Sequence, residues 1–416
     1  MSPEKRVLLL MTAKTYRAQP FLEAARRLGI EVIKVVDMPE TLAEFWDYRF
    51  GVNFADPERA TQTIVEFAAA QPFEAIVSVD DSAGLLAARA SAALGLPHNS
   101  VEAAEAARNK HIMRTLLKQG GVRVPGFKLF STEDDARDVV AQVDYPCVVK
   151  PLMLAGSQGV IRADDPDQFV AAVDRLARLL NSLDPAPAPK PYLVEDFIPG
   201  FEVALEGLLD HGRLNALALF DKPDPLDGPF FEETIYVTPS RLPAEVQAAI
   251  FQCASDAAAA LGLREGPMHA ELRVNDAGPW IVEVAGRSIG GLCSRTLRFG
   301  TDASLEELIL RQACGLDIAS LRREGRAGGV MMIPIPGAGL FKGVEGVSEA
   351  EAVPGIEEIQ ITARVYYPLA PLPEGDSYLG FIFARGDTPD QVEAALREAH
   401  GKLRFEVEET IPLLAA

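Results

Sequence analysis

Apolar positions fall into two textures along this chain, and each predicts its own kind of element. Val7 to Met11, entered at Arg6, is a continuous apolar run of strand length, and Phe21, Leu22, Ala25 and Leu28 follow at helical spacing until Gly29 can end the helix. A second strand is expected at Glu31 to Val36. Ala75-Ile76-Val77-Ser78-Val79 repeats the apolar run and leads into an Ala/Leu-rich helix that stops at Gly95. Strands apolar on both faces that alternate with helices predict a small doubly wound domain over 1–104. Ala103 to Gln119 reads as a further helix closed by Gly120-Gly121, after which strands, hairpins and longer loops dominate. The proline-spaced connector Leu183 to Pro191 cannot be helical, and it separates a helix from a strand at Tyr192 to Asp196. Near Arg322 to Arg326 the texture shifts again, to alternating strands with one helix at Pro389 to His400. No internal repeat is apparent.

Composition narrows the partners. The chain has 416 residues, a length that suits two to four domains. Apolar residues are 48% and charged residues 24%, which is globular rather than disordered composition. Lys and Arg number 40 against 60 Asp and Glu, so a formal charge of −20 repels polyphosphate chains and acidic lipid surfaces. Neither nucleic acid nor membrane is expected as a partner. Cys147, Cys253, Cys293 and Cys314 lie far apart with no C-x-x-C pair, which argues for reduced thiols, against zinc, and for a cytoplasmic location. The apolar stretch around Val7 to Met11 is too short for a signal-peptide core or a membrane span.

The first strand is followed by Thr12-Ala13-Lys14-Thr15 rather than G-x-G-x-x-G, and no P-loop lysine motif is present, so a dinucleotide is not expected there. Asp80 and Asp81 fall just past the carboxyl end of the third strand, where open parallel sheets place ligands; they read either as a helix cap or as substrate contacts.

The strongest local signal is a hairpin. Met268 to Val274 and Trp280 to Val284 flank the turn formers Asn275-Asp276-Ala277-Gly278. A turn centred near Ala277 sets Glu271 opposite Glu283, with Cβ atoms about 5 Å apart. Opposed like charges need relief, and Mg²⁺, held by one or two carboxylates, supplies it. The alternatives are a register off by one, which turns the two side chains to opposite faces, or an Arg273 that pairs with one of them. Arg287 follows in the glycine-flanked run Ala285 to Gly291, suited to a transferring phosphoryl group or an oxyanion. Lys150 ends the short strand from Tyr145, before the small-residue loop Ala155 to Val160, which can fold over phosphates; as a bare pattern, a lysine snorkelling to water is the alternative. Phe197 and Ile198 can wall an adenine, and Glu202 can accept from ribose hydroxyls.

In order and spacing these pieces resemble the ATP-grasp superfamily. The matching elements are Asn109 to Arg114, Val148-Val149-Lys150-Pro151 with its loop, Val194 to Glu202, and Glu271 and Glu283 followed by Arg287. The resemblance implies that Lys110 and Lys150 contact ATP phosphates, that Gly156 and Ser157 lie in a mobile covering loop, and that Glu195, Asp196, Phe197 and Ile198 form the adenine hinge. It further implies ribose on Glu202, Mg²⁺ on Glu271 and Glu283, an acyl phosphate facing Arg287, and Lys222 as an additional phosphate contact. One departure is Ala285, where many relatives carry an asparagine metal ligand. His269, on the same strand face as Glu271, would touch substrate or act as base for an amine.

The implied fold is α/β and α+β multidomain: the doubly wound N-terminal domain, an ATP-grasp domain at 105–325 with a mobile lid at about 126–194, and a small α+β domain at 326–416. Within the superfamily the chain looks most like the L-amino-acid ligase group. The implied reaction is ATP-dependent ligation of a small-molecule carboxylate and an amine, of the dipeptide type with amino acids as the expected substrates, through an acyl phosphate and with release of ADP and phosphate. A carboxylase-type or formate-type enzyme and a catalytically silent nucleotide-binding module are the rival readings. A homodimer is one expected assembly.

Overall fold

The computed structural model describes residues 5–409 apart from 14, 47 and 49, so Lys14 of the loop after the first strand lies outside the described residues. Strands β1 (Arg6–Met11), β2 (Glu31–Asp37), β3 (Phe50–Val52) and β4 (Ala75–Ser78) form a parallel sheet in the order β3-β2-β1-β4. Alternate residues of β1 serve different cores. Val7 and Leu9 pack with Phe21 and Ala25 of the helix Ala18–Leu28, whereas Leu8 and Leu10 pack with Ile64 and Leu86 on the other face. That two-sided burial is the reason the strand reads as an unbroken apolar run. Gly29 ends its helix in the left-handed conformation at φ 64°, as the sequence led us to expect. The loops after β1 and β4, which carry Thr12 to Arg17 and Asp80-Asp81, share the carboxyl edge of this sheet.

A second, antiparallel sheet contains β5 (Phe127–Ser131), β6 (Cys147–Pro151), β7 (Ile161–Ala163) and β8 (Pro191–Asp196) in the order β5-β8-β6-β7. Phe169, Val173 and Leu176 of the helix Pro166–Leu183 cover one face of it. The chain then crosses directly into the largest sheet, through β9 (Phe201–Asp210), β10 (Arg213–Lys222), β11 (Ile235–Thr238), β12 (Gly266–Asn275) and β13 (Gly278–Ala285).

Beyond these come β14 (Ala327–Ile333), β15 (Gly339–Glu345), β16 (Ile356–Ile361), β17 (Pro368–Leu369), β18 (Gly380–Gly386) and β19 (Arg404–Glu408). β14 pairs with β11 from Ile235↔Met331 to Thr238↔Gly328, so one eight-stranded sheet runs β13-β12-β9-β10-β11-β14-β18-β16. The change of texture near residue 325 is therefore a boundary in sequence, while the sheet continues across it. Among the described residues no helix is long and apolar enough to cross a membrane.

Candidate active site

The hairpin β12–β13 sets the centre. Its ladder runs Asn275↔Gly278, Val274↔Pro279, Arg273↔Trp280 and Leu272↔Ile281, and then shifts by one to Glu271↔Glu283. A bulge at Val282 makes that shift. Without it, Glu271 would oppose Val282, the off-by-one register that the sequence left open. With it, Ile281 and Val284 both stay fully buried in the core, and Glu271 and Glu283 both line one cavity of about 420 Å³. The carbonyl of Val282 accepts from the wholly buried Arg114. Arg273 does not pair with either of the opposed glutamates; it donates to Glu202 at 3.1 Å.

Lys150 and Lys110 enter the same cavity from two sides. Lys150, at the end of β6, lies 2.7 Å from Glu195 Oε2, and Arg114 holds Glu195 Oε1 at 2.6 Å through Nε. Burial works to raise the Glu195 carboxyl, but Arg114 and Lys150 outweigh it and hold it down to about 2. Burial pushes the Lys150 ammonium down. Lys110 opens the helix Lys110–Gln119, capped by Asn109, and donates to the Leu154 carbonyl at 2.8 Å and to Glu283 at 3.3 Å. It thereby ties the small-residue loop to one of the opposed acids. In that loop Gly156 and Ser157 are both left-handed, at φ 63° and 56°.

On the far side, Lys222 touches Glu202 at 2.7 Å, Glu233 at 2.5 Å and Glu271 at 3.3 Å. Burial disfavours its charge, yet these carboxylates raise its pKa. Its ammonium bridges three carboxylates at the cavity wall. Burial and the neighbouring Glu271 push the Glu233 carboxyl up to about 7. His269 sits between Glu206 (3.2 Å) and Glu271 (3.4 Å). Burial opposes its protonation, but the two carboxylates win and raise it to about 9.

Arg287 reaches across to the N-terminal domain, where Nε and Nη2 both lie 2.8 Å from Asp81 Oδ2. Asp80 makes no capping bond to its helix. It accepts instead from the Thr12 N–H and hydroxyl at 3.0 and 3.1 Å and from the Thr15 hydroxyl at 2.9 Å, which pins the loop after β1.

With this geometry in hand, three family models match the chain: ATP-grasp domain over residues 143–296, ATP-grasp N-terminal domain over 22–98, and L-amino acid ligase C-terminal domain 2 over 331–408. The chain belongs to the ATP-grasp superfamily. Its fold matches the crystal structure of an L-amino acid ligase from Bacillus licheniformis with a TM-score of 0.82 and 27% identity, covering 98% of this chain and 100% of that one. Alanine–anticapsin ligase of Bacillus subtilis is 27% identical over 69% of this chain and 68% of its own length. Human carnosine synthase 1 is 28% identical over 79% of this chain and 42% of its own length. Within the superfamily the chain is most like the L-amino-acid ligase group.

The residues expected to form the adenine hinge lie at the crossing from β8 to β9. Asp196 accepts from the Gly126 N–H at 3.1 Å, and the Phe197 N–H donates to the Pro146 carbonyl at 3.0 Å. The Phe197 ring lies 4.1 Å from the Arg162 guanidinium and 4.9 Å from that of Arg273. Glu195, Asp196, Phe197, Ile198 and Glu202 all line the cavity, with the Glu195 side chain engaged by Arg114 and that of Asp196 by the Gly126 N–H. The donor set fits Mg²⁺: Glu271 and Glu283 offer hard oxygens on facing strands, and Ala285 leaves further coordination to water and phosphate.

Sequence reasoning singled out neither Arg114 nor Glu233 as a site residue. Arg114 stands four residues after Lys110, on the same helix face, so its signal was present in the motif. Glu233 lies in an irregular stretch before β11, where only the tertiary fold brings it to Lys222.

Proposed function

We propose that this chain is an ATP-dependent carboxylate–amine ligase that joins amino acids through a dipeptide-type amide bond, by way of an acyl phosphate, with release of ADP and phosphate. One observation carries the reading: Lys110, Lys150, Glu271, Glu283 and Arg287 converge on a single cavity walled at one end by the hinge and at the other by the N-terminal domain. Two anions, a carboxylate and ATP, have to meet there, and the two lysines offset their repulsion. Glu271 and Glu283 would hold Mg²⁺, which when bound neutralises charge on the transferring phosphoryl group. The donor carboxylate attacks the γ-phosphorus, and the amine of the acceptor then displaces phosphate from the acyl phosphate.

Arg287, oriented by Asp81, faces the oxyanion of the second step. The loop around Gly156 and Ser157 excludes water from the acyl phosphate. It is docked by the Gly159 N–H on the Pro373 carbonyl at 2.8 Å and by Gln158 on the Glu374 carbonyl at 2.8 Å. All four cysteines are unpaired, which suits the cytoplasm. The test is a hydroxylamine trap with ATP, Mg²⁺ and single amino acids. A hydroxamate with stoichiometric ADP is expected, and ADP release without hydroxamate from every acid tried would refute the acyl phosphate.

A further inference from the structure

We propose that Arg17 selects the acyl acceptor: its guanidinium, beside Arg287 at the N-terminal-domain end of the cavity, takes the acceptor's non-reacting α-carboxylate, so that the amine substrate is an amino acid rather than a simple amine. The inference deepens the ligase reading and rests on it.

Arg17 immediately precedes the helix Ala18–Leu28 and lines the same cavity as Lys150 and Glu271. One of its nitrogens is fixed across the domain interface: Nη2 donates to the Ser288 carbonyl and hydroxyl at 3.0 Å each and to the Ile289 carbonyl at 3.1 Å. Nε and Nη1 have no hydrogen-bond partner among the described residues. The guanidinium plane is therefore oriented in advance while three of its five N–H donors stay open; Nη2, which belongs to both bidentate edges, is taken, so a carboxylate is received through a single charge-assisted bond to Nε or Nη1.

Charge points the same way. Lys110 is matched by Glu283, Lys150 by Glu195, and Arg287 by Asp81. Among the described residues Arg17 forms no ion pair, and both oxygens of nearby Asp80 are taken by Thr12 and Thr15. Burial and the adjacent Arg287 charge both push the Arg17 pKa down, a strain that a bound anion relieves.

The anion is assigned by elimination within the reaction. ATP phosphates belong with the lysines, and the donor's carboxylate is itself phosphorylated there. The one carboxylate that stays intact through both steps is the acceptor's. The neighbouring cation, Arg287, is already paired with Asp81, which leaves Arg17 to the anion.

The test compares L-alanine with L-alaninamide, and L-phenylalanine with its amide, as acceptors for a donor chosen by the hydroxylamine trap. Wild-type enzyme is expected to favour the acid in kcat/KM, and Arg17→Ala to raise the acid's KM about 10- to 100-fold, the loss of one charge-assisted contact, so that the acid-to-amide ratio falls toward one. Arg17→Lys keeps the charge and should retain part of the ratio, and it serves alone if the alanine variant does not fold. A wild-type ratio near one, or a ratio unchanged by either substitution, overturns the proposal. A wild-type trap that yields no hydroxamate overturns the ligase reading and this inference with it, whereas a productive trap with a ratio blind to Arg17 overturns this inference alone.

Discussion

Glu195→Gln tests how the β8–β9 crossing, Lys150 and strand β13 are held together. Glu195 is 3% exposed and takes Arg114 at 2.6 and 3.2 Å and Lys150 at 2.7 Å. Its carboxyl is lowered from 4.5 to about 2 in the fold. A depressed carboxylate contributes stability that is present above its unfolded pKa and lost as pH falls through the folded one. From 4.5 to about 2, at about 1.4 kcal/mol per pH unit, the contribution is about 3 kcal/mol at neutral pH, with about half of it left at pH 3. An independent route agrees, since removing one partner of a buried ion pair costs about 3–5 kcal/mol by stranding the other charges.

The assay is urea unfolding followed by Trp280 fluorescence in a Trp46→Phe background; Trp280 sits on β13 and Trp46 is 65% exposed, so the signal is local to the site. The expected result is a loss of about 3 kcal/mol at pH 7 that shrinks toward pH 3. Replacing Arg114 and Lys150 by methionine in the same variant should recover part of it. A loss below about 1 kcal/mol at pH 7, or one of constant size between pH 7 and pH 3, refutes the account.

Glu283→Gln should abolish Mg²⁺-dependent turnover while circular dichroism stays native, and undiminished activity would remove Glu283 from the metal site. Asp81→Asn should cut kcat by about 10- to 100-fold with the KM for ATP little changed, because Arg287 loses the charged partner that aims it; stopped-flow and steady-state rates would show the split. Glu374→Ala releases the Arg175 fork, now at 2.6 and 2.8 Å, that ties the helix Pro166–Leu183 to the 371–378 segment. The pair is exposed and worth about 0.5–1 kcal/mol, so the KM for ATP should rise about 2- to 5-fold, and no change would mean that the contact does not hold the expected lid.

The parts of the site that were legible in sequence are those whose position follows from local pattern. β1 shows as an unbroken apolar run because Leu8 and Leu9 face different cores, and Lys150 is found because it ends a short buried strand. The pairing of Glu271 with Glu283 is a more instructive case. A turn centred near Ala277 predicts it, yet Asn275 faces Gly278, so the regular ladder leads Glu271 to Val282 and only the bulge moves the partner on to Glu283. The expected pair is present through a device that local pattern does not announce.

What stabilises the bulge is far away in sequence. Arg114, on the helix Lys110–Gln119, donates to the Val282 carbonyl while it also holds Glu195 of β8. One buried guanidinium thus satisfies a bulge carbonyl of β13 and a carboxylate of β8, which couples the large sheet to the four-stranded antiparallel one. The same holds for Arg17, Asp81 and Glu233, whose partners lie on other elements. An isolated charged side chain carries no sequence period, so its role becomes visible only when the fold supplies the opposite charge or, at Arg17, leaves it wanting.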